Sequence, residues 1–319
     1  MQSITRYLNG EIRAYHIRPF SGSADTLKPA ATFPIDPRST DNRRWLSHAV
    51  TPNLDRAAFF NRHSLMCINQ TSALLWHYDL EPGSTSTSVA SGECVFSRDG
   101  SCLWAYFPDA MNDRGPDLLV ALDADSGDED AWVELDSVGQ GATFALHPDG
   151  RNILFSVGEG QDGVKMYRAV LAREDREIDL HAYGSDDRCL IDMATDGRTF
   201  MTVEHGGRDA AFHAFPGADV LLRLSVGDFG YEGDEGDEAC VHYIGGFLEL
   251  RIAVVTVKGE TDGEEWLHYN TVDVHTGAHL GPLDAYSRED EDFQPLRDGT
   301  WIVSGADGNP VRHRFPTTV

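Results

Sequence analysis

The sequence contains very little lysine and no long apolar run, and each shortage excludes a class of function. Lysine occurs only at Lys28, Lys165 and Lys258 among 26 basic residues, and 52 acidic residues leave a formal charge of −26. A chain of this charge repels phosphate backbones, so we do not expect nucleic acid as a partner. No segment approaches the roughly 20 apolar residues that span a bilayer, and the first residues lack the apolar centre of a signal peptide. We therefore expect a cytoplasmic protein that has no contact with a membrane.

Sequence motifs for metal binding and catalysis are also missing. The cysteines are odd in number and lack Cys-x-x-Cys spacing, which favours buried free thiols over disulfides; they are Cys67, Cys94, Cys102, Cys189 and Cys240. The 13 histidines form neither a His-Glu-x-x-His nor a His-x-His pattern. A Gly-x-Ser-x-Gly elbow, a Walker loop and a Rossmann fingerprint are absent. Because a site can be assembled from distant segments, catalysis stays open and no catalytic residue is assigned.

The dipeptide Asp-Gly recurs between short apolar strands. It occurs at 99–100, 149–150, 196–197 and 298–299, and Gly100 and Gly150 are 50 residues apart. Both residues tolerate positive φ, so the dipeptide marks hairpins. Gly245-Gly246 and the turn at Leu54 fit the same period and are predicted to be two further turns. A repeat of about 40 to 50 residues with several short strands predicts a β-propeller of four-stranded antiparallel blades.

A second set of Gly-containing turns is predicted to join the third and fourth strands of each blade. It is read at Tyr15–Gly22, Trp76–Gly83, Leu119–Gly127 and Tyr269–Gly277. Counting inner strands gives six blades in one domain, 1–319. In the closing blade the C-terminus supplies 292–304 and the N-terminus supplies outer strands from 11–33, so that no sheet edge is left free. Strand-like segments at 4–8 and 311–315 make seven blades the alternative.

The first residues of the inner strands are the candidate binding residues, because ligands of propellers sit where these strands ring the central channel. The repeat places a mixture of histidine, arginine, amide and carboxylate side chains there: His48, Glu93, Gln140, Arg188, Glu238, His242 and Asp292. Such a ring suits a small polar ligand or a cation. The alternative is that these side chains only hydrate the mouth of the channel.

Four further features have ordinary structural explanations beside functional ones. The acidic loop 228–238 suits a divalent cation or a basic partner, or is a solvated loop. The segment 123–130 lacks the order of a calcium loop and reads as a hairpin turn. His-Gly-Gly-Arg-Asp at 205–209 is expected between a second and a third strand, where Arg208 would clamp an anion if the loop is more than a turn. The tryptophans are expected to pack between blades; they are Trp45, Trp76, Trp104, Trp132, Trp266 and Trp301.

The chain resembles the WD40/YVTN-like propeller superfamily. The resemblance rests on Phe-Ser-Arg-Asp-Gly at 96–100, Leu-His-Pro-Asp-Gly at 146–150 and Leu-Asp-Ala-Asp-Ser-Gly at 122–127. The Gly-His start and the Trp-Asp end of true WD40 repeats are missing. Members of this superfamily are mostly interaction platforms and in a minority enzymes, and no enzyme's residue set maps onto this chain. The resemblance implies a monomeric scaffold that binds a protein or peptide; the alternative is an enzyme or a small-molecule or cation binder at the channel mouth.

Overall fold

The computed structural model describes residues 2–20, 22, 24–36, 46–61, 63–80, 90–184, 187–231, 239–285, 287 and 292–314. The chain divides into two compact units. Unit 1 comprises residues 1–19 and 28–182, and unit 2 comprises residues 20–27 and 183–319. The described residues form 27 β-strands in seven antiparallel sheets. Among them, no helix has the length and apolar character needed to cross a membrane.

Unit 1 contains four sheets that follow one another along the chain. Sheet 1 is three-stranded, with the order β1-β2-β4, and sheets 2 to 4 are four-stranded meanders. Their strands are β1 (Ser3–Leu8), β2 (Glu11–His16) and β4 (Ala31–Pro34); β5 (His48–Val50), β6 (Arg56–Phe60), β7 (Ser64–Asn69) and β8 (Leu74–Asp79); β9 (Glu93–Phe96), β10 (Cys102–Phe107), β11 (Leu118–Asp123) and β12 (Glu129–Glu134); and β13 (Gly141–Leu146), β14 (Asn152–Gly158), β15 (Val164–Ala172) and β16 (Glu177–Ala182).

Unit 2 contains three four-stranded sheets. Sheet 7 is built from both ends of the chain, in the order β25-β26-β27-β3. The strands of sheets 5 to 7 are β17 (Arg188–Met193), β18 (Thr199–Glu204), β19 (Asp209–Ala214) and β20 (Val220–Ser225); β21 (Cys240–Phe247), β22 (Ile252–Thr261), β23 (Glu264–Asp273) and β24 (His279–Leu283); and β25 (Gln294–Pro295), β26 (Thr300–Ser304), β27 (Pro310–Arg314) and β3 (Asp25–Thr26). Short 3₁₀ helices lie at Ala110–Asn112, Gly160–Asp162 and Val226–Phe229.

The Asp-Gly turns form as predicted, because the aspartate binds the backbone that leaves the turn. Asp99 Oδ1 accepts hydrogen bonds from the Ser97 hydroxyl at 2.6 Å and the Ser101 backbone N–H at 3.1 Å. These hydrogen bonds lower the pKa of Asp99 to about 2. Gly100 has φ of +73°, which a side chain would oppose. Asp149 and Asp196 accept equivalent bonds from the residue two positions later.

Repeated four-stranded antiparallel sheets of this kind are the blades of a propeller. The predicted fold class is confirmed, but the blade count is seven and the preferred count of six is wrong. The additional first strand is β1, which covers the strand-like segment 4–8 behind the alternative count of seven, and it pairs with β2 across the turn Asn9-Gly10. Both turn residues have positive φ, 53° and 82°, as a tight two-residue hairpin requires. This hairpin is not among the Asp-Gly turns, because its first turn residue is asparagine.

The sharing of one blade between the chain ends is confirmed, although the N-terminal share is smaller than predicted. Only β3 pairs with the C-terminal strand β27, through Thr26 opposite Val311 and Asp25 opposite Arg312. The strands β2 and β4, also predicted for this blade, pair with each other in sheet 1. The segments 11–16 and 31–34 therefore belong to the blade that the preferred count of six omitted.

Three predicted turns lie elsewhere in the structure. Gly245-Gly246 is inside β21, at a register shift opposite β22, and the β21–β22 turn occupies 248–251. The segment at Tyr15 ends β2, a second strand, and Trp76 lies in β8, a fourth strand. The actual turn before β8 spans 70–73, where Asn69 Oδ1 accepts the Thr71 and Ala73 backbone N–H groups.

Each unit has apolar cores between successive sheets. In unit 1, Leu103, Phe107 and Trp76 lie in the core between sheets 2 and 3, and Phe155 and Tyr167 in the core that sheet 4 shares with sheet 3. Similar cores join sheet 1 to sheet 2, and, within unit 2, sheet 6 to sheets 5 and 7. Burial of apolar surface between sheets therefore holds the first strands of neighbouring sheets in fixed positions.

Candidate functional site

Three of the predicted ring residues occupy equivalent positions in unit 1. His48 is the first residue of β5, Glu93 is the first residue of β9, and Gln140 directly precedes β13. Strand β9 packs against both β5 and β13. The structure thus brings the three residues to the heads of successive first strands.

Glu93 lies near Ser47, the residue before β5. Burial raises the pKa of Glu93 from 4.5 to about 7, although the Ser47 hydroxyl and the Cys94 backbone N–H act in the opposite direction. The Ser47 oxygen is itself buried. Glu93 therefore changes its protonation state near neutral pH, which is the property of a carboxyl group that binds or exchanges a proton.

His48 has one ring nitrogen engaged and one unpaired. Nδ1 lies 2.6 Å from the carbonyl oxygen of Leu46. Nε2 is buried and has no partner among the described residues. Burial lowers the pKa of His48, and the positive charge of Arg6 on β1 lowers it further, against the Leu46 hydrogen bond. A neutral imidazole with a free nitrogen can bind a ligand donor.

Gln140 contributes its backbone to the structure, while its side chain is exposed. Its N–H donates to the Gly158 oxygen at 2.8 Å, and its carbonyl accepts from the Ser91 N–H at 3.2 Å. The latter bond ties sheet 4 to the segment that leads into β9. Gln140 thus occupies the first-strand position next to that of Glu93, and its backbone hydrogen bonds go to Gly158 and Ser91.

Arg188 in unit 2 is directed into its own sheet. Its side chain is 3% exposed, and Nη2 donates to Asp209 Oδ1 at 2.6 Å. Nε donates to Thr202 Oγ1 at 2.6 Å, and this hydroxyl also contacts His213 Nε2 at 2.8 Å. All these partners lie in sheet 5. The geometry gives Arg188 a buried structural role across three strands.

The other predicted ring residues of unit 2 are also engaged locally or fall outside the described residues. Asp292 accepts from the Ser287 hydroxyl at 2.6 Å and the Ser304 backbone N–H at 2.5 Å. His242 Nδ1 accepts from the Ile244 N–H at 3.3 Å, at the bulge of β21. Glu238 lies outside the described residues. Asp292 and His242 thus each bind partners in their own surroundings.

The His-Gly-Gly-Arg-Asp segment is the β18–β19 turn, as predicted. His205 lies 3.5 Å from Asp187, and the Tyr243 hydroxyl donates to the His205 carbonyl oxygen. Arg208 binds Glu204 at 2.5 Å, and this contact lowers the pKa of Glu204. The guanidinium predicted to clamp an anion therefore already has a carboxylate partner.

The acidic segments, as far as the structure describes them, show no cation site. Asp123 Oδ1 accepts the backbone N–H groups of Asp125 and Ser126, which is an ordinary hairpin turn as predicted. Asp228 caps the short helix after Ser225, and 232–238 of the acidic loop lies outside the described residues. Across the ranges that the structure describes, no group of three or more His, Cys, Asp or Glu side chains is arranged to hold a metal ion.

Tryptophan 132 forms a surface feature that the sequence did not predict. Trp76, Trp104 and Trp301 are buried as expected, but Trp132 in β12 is 53% exposed. It lines a concavity of about 270 Å³ with Glu129, Asp130, Ala131 and Arg176. Strand β12 is the fourth strand of its sheet, so its outer edge pairs with no other strand of that sheet. The only sequence signal was the run of acidic residues around this tryptophan.

Comparison with known proteins supports the fold at the level of the superfamily. No protein-family model and no curated protein matches the sequence. Among solved structures, the periplasmic gluconolactonase PpgL of Pseudomonas aeruginosa is similar with a TM-score of 0.54 at 13% identity, over 94% of this chain and 90% of that one. Hydrazine synthase of Kuenenia stuttgartiensis gives 0.53 at 13% identity, over 84% and 76%.

A WD40 structure is similar to the same degree. The C-terminal WD40 domain of Sif2 has a TM-score of 0.50 at 11% identity, over 97% of this chain and 91% of that domain. The resemblance to WD40 and related propellers is thereby confirmed. Since the similar structures include both a WD40 domain and enzymes, the likeness shows the fold and leaves the function to the residues.

Proposed function

We propose that this protein is a binding scaffold that docks a basic peptide segment of a partner protein on strand β12. The observation that carries this proposal is the half-exposed Trp132 beside a concavity on an acidic outer strand. Large exposed aromatic side chains are enriched at protein interfaces, and they serve as anchors there.

The charge around Trp132 determines the kind of partner. Seven carboxylates lie between 123 and 136, and neither lysine nor arginine occurs from 115 to 150. Arg56 pairs with Asp125, and Lys165 lies near Asp136. The remaining acidic side chains of β12 and its turn have no ion pair within the described chain; they are Asp128, Glu129, Asp130 and Glu134.

Arg176 shapes the concavity without neutralising these carboxylates directly. Its guanidinium donates to the backbone oxygens of Glu129 and Asp130. The Glu129 carboxylate accepts from the Tyr78 hydroxyl at 2.5 Å. The carboxylates of Asp128, Asp130 and Glu134 stay available to lysine or arginine side chains, and the ring face of Trp132 can receive a guanidinium by a cation–π contact.

Fluorescence anisotropy with a labelled hexaarginine peptide tests the proposal. We expect hexaarginine to bind, hexaglutamate not to bind, and affinity to fall as salt rises, because exposed charges are screened. The triple variant D128N/D130N/E134Q should weaken binding by roughly tenfold or more, in line with complementary charges at an interface.

A matched variant separates this site from the general negative charge. E260Q/D262N/E264Q removes three exposed carboxylates from the β22–β23 hairpin. It should bind hexaarginine as the unmodified protein does. Equal weakening by both triple variants, or no binding of hexaarginine at all, would show that β12 is not the docking strand.

Three expectations from the sequence accompany this proposal. A cytoplasmic location and a monomeric state stay predictions, as does the single domain spanning 1–319. The scaffold needs neither a catalytic residue nor a cofactor in order to act in this way.

A further inference from the structure

A second cluster of polar groups lies on unit 1, at the heads of β5 and β9. It consists of Ser47, His48 and Glu93, on two first strands that pack against each other. These residues make no contribution to the β12 surface. One of their polar atoms, His48 Nε2, is buried without a hydrogen-bond partner in the ranges that the structure describes. Buried polar atoms are nearly always paired, so such atoms indicate a ligand position.

The hydrogen bond of His48 determines what its free nitrogen can accept. The Leu46 carbonyl oxygen can only accept, so the Nδ1 atom, 2.6 Å away, carries the proton. In the neutral ring Nε2 then bears a lone pair and is an acceptor. Ser47 Oγ has lone pairs too, and an ionised Glu93 carboxylate is an acceptor only.

We propose that Ser47, His48 and Glu93 bind the ammonium group of a small primary amine. An alkylammonium carries three N–H donors, which matches three acceptor groups. Its positive charge would pair with the Glu93 carboxylate as a charge-assisted hydrogen bond. The net charge of −26 also favours the approach of a cation.

The neighbouring titratable groups set the position and the pH dependence of binding. Arg6 on β1 acts on His48 and disfavours a second cation there, so we place the ammonium nearer to Ser47 and Glu93. Behind Glu93, burial raises the pKa of the Cys94 thiol well above 9 and that of Cys67 to about 12, so both thiols stay neutral. Glu93, with a pKa of about 7, is the group that titrates.

Binding should therefore strengthen as Glu93 ionises. The amine stays protonated over this range, as a lysine side chain does with a pKa near 10.4. The ionised fraction of a carboxyl group with a pKa of 7 rises about tenfold between pH 6 and pH 8. The affinity for an amine should rise by a similar factor.

The test uses butylammonium as the probe and n-butanol as its uncharged counterpart, with ¹³C-glutamate and ¹⁵N-histidine NMR of the full chain. We expect butylammonium to shift the Glu93 and His48 signals in a saturable way, with an affinity about tenfold higher at pH 8 than at pH 6. n-Butanol should shift neither signal.

Variants separate this site from general attraction of cations. Glu93→Gln should remove the pH dependence and weaken butylammonium binding at least fivefold at pH 8, and Ser47→Ala should weaken it while keeping the pH dependence. Leu74→Ala changes an exposed side chain on β8, away from the first strands, and should have no effect. The proposal is overturned if butylammonium produces no saturable shift, if n-butanol binds equally well, or if the Glu93→Gln variant binds like the unmodified protein.

Discussion

Arg297, on the turn between β25 and β26, donates a hydrogen bond from Nε to Asp192 on β17 over a distance of 3.1 Å. The strand β21 lies between them, and its Phe247 N–H donates to the other oxygen of Asp192 at 2.8 Å. One carboxylate, 6% exposed, therefore joins the first strands of sheets 5 and 6 to the first hairpin of sheet 7 in unit 2.

Asp192→Ala should destabilise the protein. The substitution leaves the buried N–H of Phe247 unpaired and removes the partner of Arg297, at a cost of about 2–4 kcal/mol. Urea unfolding measures the loss. Arg251→Ala, which breaks an exposed ion pair with Asp273, is the control and should leave the midpoint nearly unchanged. An equal effect of the two variants would contradict the bridging role of Asp192.

Gly246 is needed for the same bridge. A Cβ at this position would lie 2.7 Å from Asp192 Oδ2, and its φ of +134° is a conformation that side chains oppose. Gly246→Ala should lower the free energy of unfolding by about 2 kcal/mol or more. Gly141→Ala, where no atom lies within 4 Å of the added Cβ, should change it little. If thermal denaturation shows equal losses of stability for the two variants, the close approach of Asp192 to residue 246 does not require a glycine.

The pair Gly245-Gly246 shows how far the sequence could predict the fold. The period of Asp-Gly turns gave the strand hairpins, because an Asp side chain and a Gly at positive φ are what such turns need. Gly245-Gly246 matched the same period for a different reason, since Gly246 lets Asp192 approach β21. What distinguishes Gly246 from a turn glycine is its contact with Asp192, which lies 54 residues earlier in the chain. The spacing of glycines in the sequence does not reveal such a contact.

Arg188 should prove to be a stabilising residue of sheet 5. Asp209→Ala leaves its guanidinium buried without its carboxylate, and we expect a loss of about 3–5 kcal/mol in urea unfolding. Arg188→Met, which replaces the charge with an apolar chain of similar length, should cost less. Arg198→Ala, on an exposed side chain at the β17–β18 turn, should have little effect. A greater loss from Arg188→Met than from Asp209→Ala would contradict this assignment.

Glu93 should make stability depend on pH. Its pKa is about 7 in the folded chain and near 4.5 when unfolded, so the folded state holds more protons between these values. Stability is then fully present below pH 4.5 and falls as pH rises towards 7, by about 1–3 kcal/mol from this group. Glu93→Gln should remove this part of the fall. If the free energy of unfolding depends on pH in the same way in both proteins, Glu93 is not the group responsible for the fall.

The candidate sites were predictable only in part. The first residues of the strands followed from the repeat, which placed His48 and Glu93 on neighbouring strands. The tautomer of His48 depends on the Leu46 carbonyl, and the pKa of Glu93 depends on burial, so neither can be read from spacing. Trp132 looked like the buried tryptophans, because residue type alone does not say whether another sheet covers the outer strand.

Hexaarginine binding by the Trp132→Ala variant tests the scaffold proposal most directly. Trp132 is exposed, so its removal should leave the fold intact, and an exposed cation–π contact predicts a two- to fivefold loss of affinity. Leu221→Ala removes a side chain that is 59% exposed on β20 and should bind as the unmodified protein does. Unchanged affinity in Trp132→Ala, or the same loss in Leu221→Ala, would contradict a docking site on β12.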